Sequence, residues 1–198
     1  MNITQALHRN LQQGADRVMT ICGDRKTTTR AFVDRVARFA GALQRLGMKP
    51  GDRVAMLALN SDRYMEYFFA VPWGDGVINP CNIRWSVKEN AYALADSETS
   101  ILIVDETFKE MAPALRSEVP SLRQIIYAGD GDTPAGMLNY EALIVETEAV
   151  EDARRGGEQR LGIFYTGGTT GFPKGVMISH AAFWSSQIAI VGEGIVQR

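Results

Sequence analysis

Residues 28–61 read TTRAFVDRVARFAGALQRLGMKPGDRVAMLALNS, and the order of patterns within them decides the fold. From Thr29 to Leu46 the apolar positions Phe32, Val36, Phe39, Leu43 and Leu46 step by four, three, four and three, which lines one face of an α-helix. Gly47 stands where the left-handed residue closing such a helix belongs, and Pro50-Gly51 completes the break. RVAMLAL, Arg53 to Leu59, then runs apolar without alternation, as a strand covered on both faces does. Asn60 or Ser61 can cap a following helix through Tyr64, Tyr67, Phe68 and Val71, which Pro72 ends or kinks.

The same succession extends to both sides. Upstream, Ile3, Leu7 and Leu11 mark a short helix over residues 3–13, and VMTIC (Val18 to Cys22) is strand-like before a GDRK turn. Downstream, VIN is a short strand, and Ser86 with Glu89 forms an S-x-x-E capping box ahead of a helix through Tyr92 and Leu94. ILIVD (Ile101 to Asp105) is another buried strand. A helix around Phe108 to Leu115, a strand from Gln124 to Tyr127, a loop from Ala128 to Pro134 and a helix near Tyr140 to Val145 follow. Residues 146–160 form a polar connector, readable as a domain boundary or as a surface loop within one domain. LGIFYT, a glycine-rich loop, VMIS and a helix from Ala181 complete the chain. Strands separated by helices, with little alternation inside them, predict an α/β fold: a largely parallel sheet with helices packed on its faces.

Bulk composition narrows the function. Over 198 residues, 45% are hydrophobic and 22% charged, an ordinary globular balance. A net charge of −2 without a basic run argues against a nucleic-acid partner. Cys22 and Cys81 lie far apart, with no CxxC and no histidine cluster, so they read as buried free thiols and no metal site is expected. MNITQALHRN lacks the apolar core of a signal peptide, and no window is apolar enough to span a bilayer; a cytoplasmic protein with no integral membrane segment is the expectation.

The loop in YTGGTTGFPKGVMISH (residues 165–180) carries the chemistry. Glycines permit positive φ, which turns successive backbone N–H groups toward one concave point, and nearby hydroxyls suit the oxygens of a polyphosphate. Lys174 adds a mobile positive charge and Pro173 stiffens the chain before it. Charge-assisted hydrogen bonds of this kind are worth about 1.5–3 kcal/mol each, so several together could hold a nucleotide's phosphates. Lys174 precedes Gly175 and a strand-like VMIS, so this is not a Walker A loop, and GxGxxG is not matched either. By composition alone, the segment also suits a flexible hairpin connection.

The order of residues goes further than composition. TGGTTGFPKG, Thr166 to Gly175, resembles the phosphate-binding signature of the adenylate-forming superfamily: acyl-CoA synthetases, aryl-CoA ligases, luciferases and adenylation domains. The segment 28–61, AVPWGDGVINPCNIRW and SILIVD resemble the corresponding early regions of acyl-CoA ligases, so the likeness covers nearly the whole chain. It implies activation of a carboxylic acid by Mg2+ and ATP to an acyl-adenylate, then transfer of the acyl group to coenzyme A. It further implies that Thr166, Gly167, Gly168, Thr169, Thr170 and Gly171 wrap the β- and γ-phosphates, with Lys174 as the catalytic cation. The YTGGTTG and NPCNIRW forms lean toward ligases of fatty or aromatic acids, including hydroxycinnamates such as ferulate. Members are much longer, so residues 1–198 are expected to be an incomplete N-terminal large domain, without the C-terminal domain and inactive alone. The other class of function is a non-catalytic module that binds phosphate or nucleotide, or self-associates.

Four further expectations attach to named residues. Phe183, Trp184, Ile188, Ile190 and Val191 in the last helix are expected to lack neighbours, which favours a homo-oligomer or a domain-swapped dimer. His180 is expected to cap or lie on the surface, or else to face substrate. His8 is expected on a helix surface. Trp85 is expected to pack while Arg84 stays solvated.

Overall fold

The computed structural model describes residues 1–167 and 172–192. The helix foreseen around Phe32 is α2 (Thr29–Arg45); α1 (Gln5–Gly14) precedes it. Thr28 caps α2 by accepting the Ala31 N–H at 3.3 Å. Its other end closes as the sequence indicates: Gly47 has φ +94°, its N–H donates to Gln44 O, and the Met48 N–H donates to Leu43 O. That pair of bonds is a Schellman motif, satisfying carbonyls the helix itself cannot. Phe32, Val36, Phe39 and Leu43 are fully buried along one stripe. Burial of each contributes roughly 1.5–3 kcal/mol.

Between α1 and α2, β1 (Val18–Cys22) and β2 (Arg25–Thr28) pair antiparallel as a separate ribbon. The sequence reading left β2 inside a turn, because RKTT has no apolar periodicity to announce a strand. The main sheet then builds from β3 (Arg53–Leu57), β4 (Val77–Pro80), β5 (Ile101–Val104), β6 (Gln124–Tyr127), β7 (Leu138–Asn139), β8 (Arg160–Thr166) and β9 (Lys174–Ser179). Its spatial order is β7-β6-β5-β3-β4-β8-β9. Every pairing is parallel except β8 with β9, which form an antiparallel hairpin at the edge.

Helices cover both faces, as a parallel sheet requires. Val54 and Met56 of β3, Ile101 and Ile103 of β5, and Ile126 of β6 join one core with α2, α3 (Asp62–Trp73) and α6 (Tyr140–Val145). The alternate residues Ala55, Leu57, Leu102, Val104 and Ile125 join a second core with α4 (Val87–Asp96) and α5 (Ala112–Glu118). A 3-10 turn, Lys109–Met111, leads into α5, so that helix lies later than its apolar pattern placed it. Ser61 caps α3 and Pro72 falls in its last turn, where the helix ends one residue later. The Ser86–Glu89 capping box opens α4, with the Ser86 N–H donating to Glu89 Oε2 at 2.9 Å.

Residues 146–160 lie across the surface of this same body. The Val150 N–H donates to Ala37 O, Trp73 Nε1 donates to Val150 O at 2.9 Å, and the Ala153 N–H donates to Trp73 O. The segment then leads through β8 and β9 to α7 (His180–Gly192). Among the described residues no helix is long and apolar enough to cross a membrane.

Candidate functional site

Ligands of open α/β sheets collect outside the carboxyl ends of the strands. Two connections leave that edge side by side. β8 passes into the Gly/Thr loop, and its neighbour β4 passes into the segment NPCNIRW that ends at Trp85. Gly162 lets β8 approach β4: a Cβ there would come within 2.7 Å of the Ile78 side chain.

The hairpin sets the loop's two ends. Thr166 pairs with Lys174, Tyr165 with Gly175 and Phe164 with Val176. Opposed residues of an antiparallel pair share a face, so Thr166 and Lys174 project together at the mouth of the loop. Both are exposed, and so is Gly167. Lys174 forms no ion pair with any described residue. The Thr166 hydroxyl donates across the hairpin to Lys174 O at 3.5 Å, a long bond that a ligand oxygen can displace. Beside Gly167 the nearest atom to a notional Cβ is Trp85 Nε1 at 4.0 Å, which leaves the backbone approachable. The structure therefore brings together Thr166, Gly167 and Lys174, while Gly168, Thr169, Thr170 and Gly171 lie outside the described residues.

Sequence reasoning missed the residues that anchor this hairpin. Tyr165 donates its hydroxyl to Asp96 Oδ2 at 2.5 Å, and Phe172 stacks on Tyr92 with ring centroids 4.9 Å apart. Burial first, and the Asp96 contact second, push the Tyr165 phenol well above its ordinary value, so it stays a donor. Tyr92 and Asp96 sit four residues apart on α4, a spacing that puts both on one helix face. Nothing in the sequence says which face looks at the loop. Trp85 is half-buried and Arg84 exposed, as expected, yet Trp85 packs beside Gly167 rather than in the core.

His180 departs from the expectation, whereas His8 keeps its place on the surface of α1 but gains partners. His180 opens α7 but is buried, and its Nδ1 accepts the Ile3 N–H at 3.3 Å. His8 stacks on Trp73 and pairs through Nε2 with Asp152 Oδ2 at 2.7 Å. Ile3, 177 positions away, took His180 off the surface, while His8 stays 33% exposed on α1 beside its long-range partners Trp73 and Asp152. Cys22 and Cys81 are free and half-buried rather than fully buried; burial pushes the Cys81 thiol up to about 12, which keeps it unreactive at neutral pH.

A second cleft, of about 310 Å³, opens at the carboxyl ends of β3, β5 and β6 between Arg25, Arg63, Asp105, Glu106 and Asp130. Both of its arginines are paired: Arg25 with Asp62 and Asp130, and Arg63 with Asp130 and Glu141. Among the described residues no group of three His, Cys, Asp or Glu is placed to hold a metal ion.

Fold and hairpin together define an α/β protein in which Thr166, Gly167 and Lys174 gather at the carboxyl edge of a largely parallel sheet. Residues 7–196 match the family model described as AMP-binding enzyme, and the chain belongs to that family. Its relatives there include CoA ligases. The chain is 35% identical, over 98% of its own length, to 36% of the 2-succinylbenzoate–CoA ligase, chloroplastic/peroxisomal, of Arabidopsis thaliana. It is 39% identical, over 79% of its length, to 28% of the long-chain-fatty-acid–CoA ligase of Thermus thermophilus. Among solved structures, the anthranilate CoA ligase AuaEII in complex with anthranoyl-AMP superposes with a TM-score of 0.86 at 28% identity, covering 91% of this chain and 35% of that one. The chain thus spans about a third of the length of the relatives it matches.

Proposed function

We propose that this chain is the opening portion of the large N-terminal domain of an AMP-forming acyl- or aryl-CoA ligase, and that it supplies the grip on ATP. The observation that carries the proposal is the hairpin: TGGTTGFPKG spans the β8–β9 turn, with Thr166 and Lys174 exposed in register at its mouth. The chemistry asks for such a feature. A carboxylate must approach a polyanion while negative charge grows on the departing pyrophosphate. Donors already aimed at those oxygens lower the barrier because they need not reorganise during reaction. Thr166, Gly167, Gly168, Thr169, Thr170 and Gly171 would line the β- and γ-phosphates, and Lys174 would offset part of their charge. Mg2+ would enter with ATP, and coenzyme A would receive the acyl group.

For the acid, the proposal is a fatty or aromatic carboxylate, hydroxycinnamates such as ferulate included. Relatives named for long-chain fatty acids and for 2-succinylbenzoate support that range without choosing within it. A pyrophosphate-release screen of a protein of the relatives' length against fatty, benzoic and cinnamic acids would choose. The 198 residues alone should give no turnover. They should nonetheless bind ATP or tripolyphosphate, and Lys174→Ala should weaken that binding. In the longer enzyme the same substitution should slow adenylation by about 10²- to 10³-fold, as loss of one preorganised donor does. Pyrophosphate release from the variant at the unsubstituted rate would remove Lys174 from the mechanism.

A further inference from the structure

Both arms of the loop-bearing hairpin are tied to one helix. Tyr165 on the first arm donates to Asp96, and Phe172 beside the second arm stacks on Tyr92 at an interplanar angle of 25°. α4 is itself fixed at both ends. The Ser86–Glu89 capping box closes its start, and at its finish Ser97 Oγ donates to Ala93 O at 2.7 Å. The same Ser97 hydroxyl accepts from the buried Asn79 Nδ2 at 2.9 Å, and the Asn79 N–H donates to Tyr67 OH at 2.9 Å. Tyr67 in turn donates to Val54 O in the middle of the sheet, again at 2.9 Å. A chain of short hydrogen bonds thus runs from the central strand β3 through β4 to the end of α4, and from there through Asp96 to β8.

We propose that α4 braces the phosphate loop, with Tyr92 and Asp96 as positioning residues that hold residues 165–167 and 172–174 in place for a triphosphate to span. Every flanking residue already ordered is one the ligand does not have to order, so the brace acts on affinity rather than on fold. The inference rests on the assignment of the loop to phosphate binding, and its test separates the two.

The 198-residue chain would be prepared unsubstituted and as Tyr165→Phe, Phe172→Ala and Asp96→Asn. Amide hydrogen exchange would be followed over residues 166–175 without nucleotide, and ATP affinity measured by calorimetry. Tyr165→Phe and Phe172→Ala should each speed exchange over 166–175 and weaken ATP binding by about fivefold, the worth of one modest contact. Asp96→Asn keeps an oxygen that can accept from Tyr165 and should recover part of both losses. Exchange in Arg53–Leu57 and Ile101–Val104 should not change, which distinguishes a released loop from a loosened fold. Unaltered exchange over 166–175 overturns the brace, and so does faster exchange with unaltered ATP affinity. If the unsubstituted chain binds no ATP, the phosphate assignment fails instead, and the exchange data alone decide whether α4 restrains the hairpin.

Discussion

His180 is the residue at which this molecule should feel pH most directly. Burial, and secondarily the nearby N-terminal ammonium, lower its pKa from the ordinary 6.5, against the opposing pull of Asp152 and Asp75. Its Nδ1 accepts the Ile3 N–H, which requires the neutral ring. In the unfolded chain the imidazole takes up its proton at the ordinary value, so on acidification the unfolded state gains protons before the folded one. The stability this group contributes is therefore complete above about pH 6.5 and is lost as pH falls through the depressed folded value. Melting temperature should begin to drop as pH falls below about 6.5. His180→Asn, whose amide oxygen can replace Nδ1 and does not titrate, should flatten that drop; an equally steep profile in the variant would assign it to other groups. Ile3 lies 177 positions away from His180, which is why the sequence placed this side chain on the surface. Lys174 was easier to place, since the order of residues around it is local.

At the scale of elements, a set of ion pairs joins helices that apolar patterning had treated only as core-facing cylinders. Arg35 of α2 makes a two-pronged contact with Glu66 of α3, at 2.5 and 3.1 Å, and another with Glu141 of α6. Arg63 reaches Glu141 and Ala128 O, and Tyr140 donates to Glu66 Oε2 at 2.8 Å. Burial dominates at Glu66 and raises its carboxyl above the usual range despite Arg35. Glu141 is less enclosed, and there Arg35 and Arg63 overcome burial and hold its carboxyl below the usual range. Removing Glu66 leaves the buried Tyr140 hydroxyl without its acceptor, while Arg35 keeps Glu141. Glu66→Ala should therefore cost about 1–3 kcal/mol of unfolding free energy in urea. Glu66→Gln, which still accepts from Tyr140, should cost less; equal losses would show that volume rather than hydrogen bonding is at stake. Sequence periodicity located α2 and α3 because their apolar stripes repeat. It was silent on Arg35, Glu66 and Glu141, whose alignment depends on how three helices dock.

Across the whole molecule, the central strands were the most legible part. RVAML and ILIV are apolar at successive positions because each feeds two cores, one on either side of the sheet. β7, two residues long, and β2, polar throughout, carry no such signal and were found only in three dimensions. The edge of the sheet is less well covered than its centre. Val176 and Met177 of β9 and Ile188 of α7 are exposed, at 46%, 64% and 57%. Phe183, by contrast, packs against the core, and Trp184 Nε1 donates to Asn2 O, so the last helix is better seated than its composition suggested. The side chain of Val191 lies outside the described residues. An edge strand with apolar residues outward favours pairing with a second copy. Self-association of the 198-residue chain is therefore expected in light scattering, and Met177→Lys should shift it toward monomer. A monomeric mass before substitution would count against it.

Two glycines give the β8–β9 hairpin a further property. A methyl group at Gly162 would strike Ile78 and Phe164, and one at Gly175 would strike Ile163 and Tyr165, all within 3.0 Å. Neither strand can slide past its partner without driving a side chain into one of those tight spots, so the pairing of Thr166 with Lys174 is locked. The register that sets Thr166 opposite Lys174 is therefore fixed, so a codon gained or lost between those two residues cannot be taken up by sliding the arms.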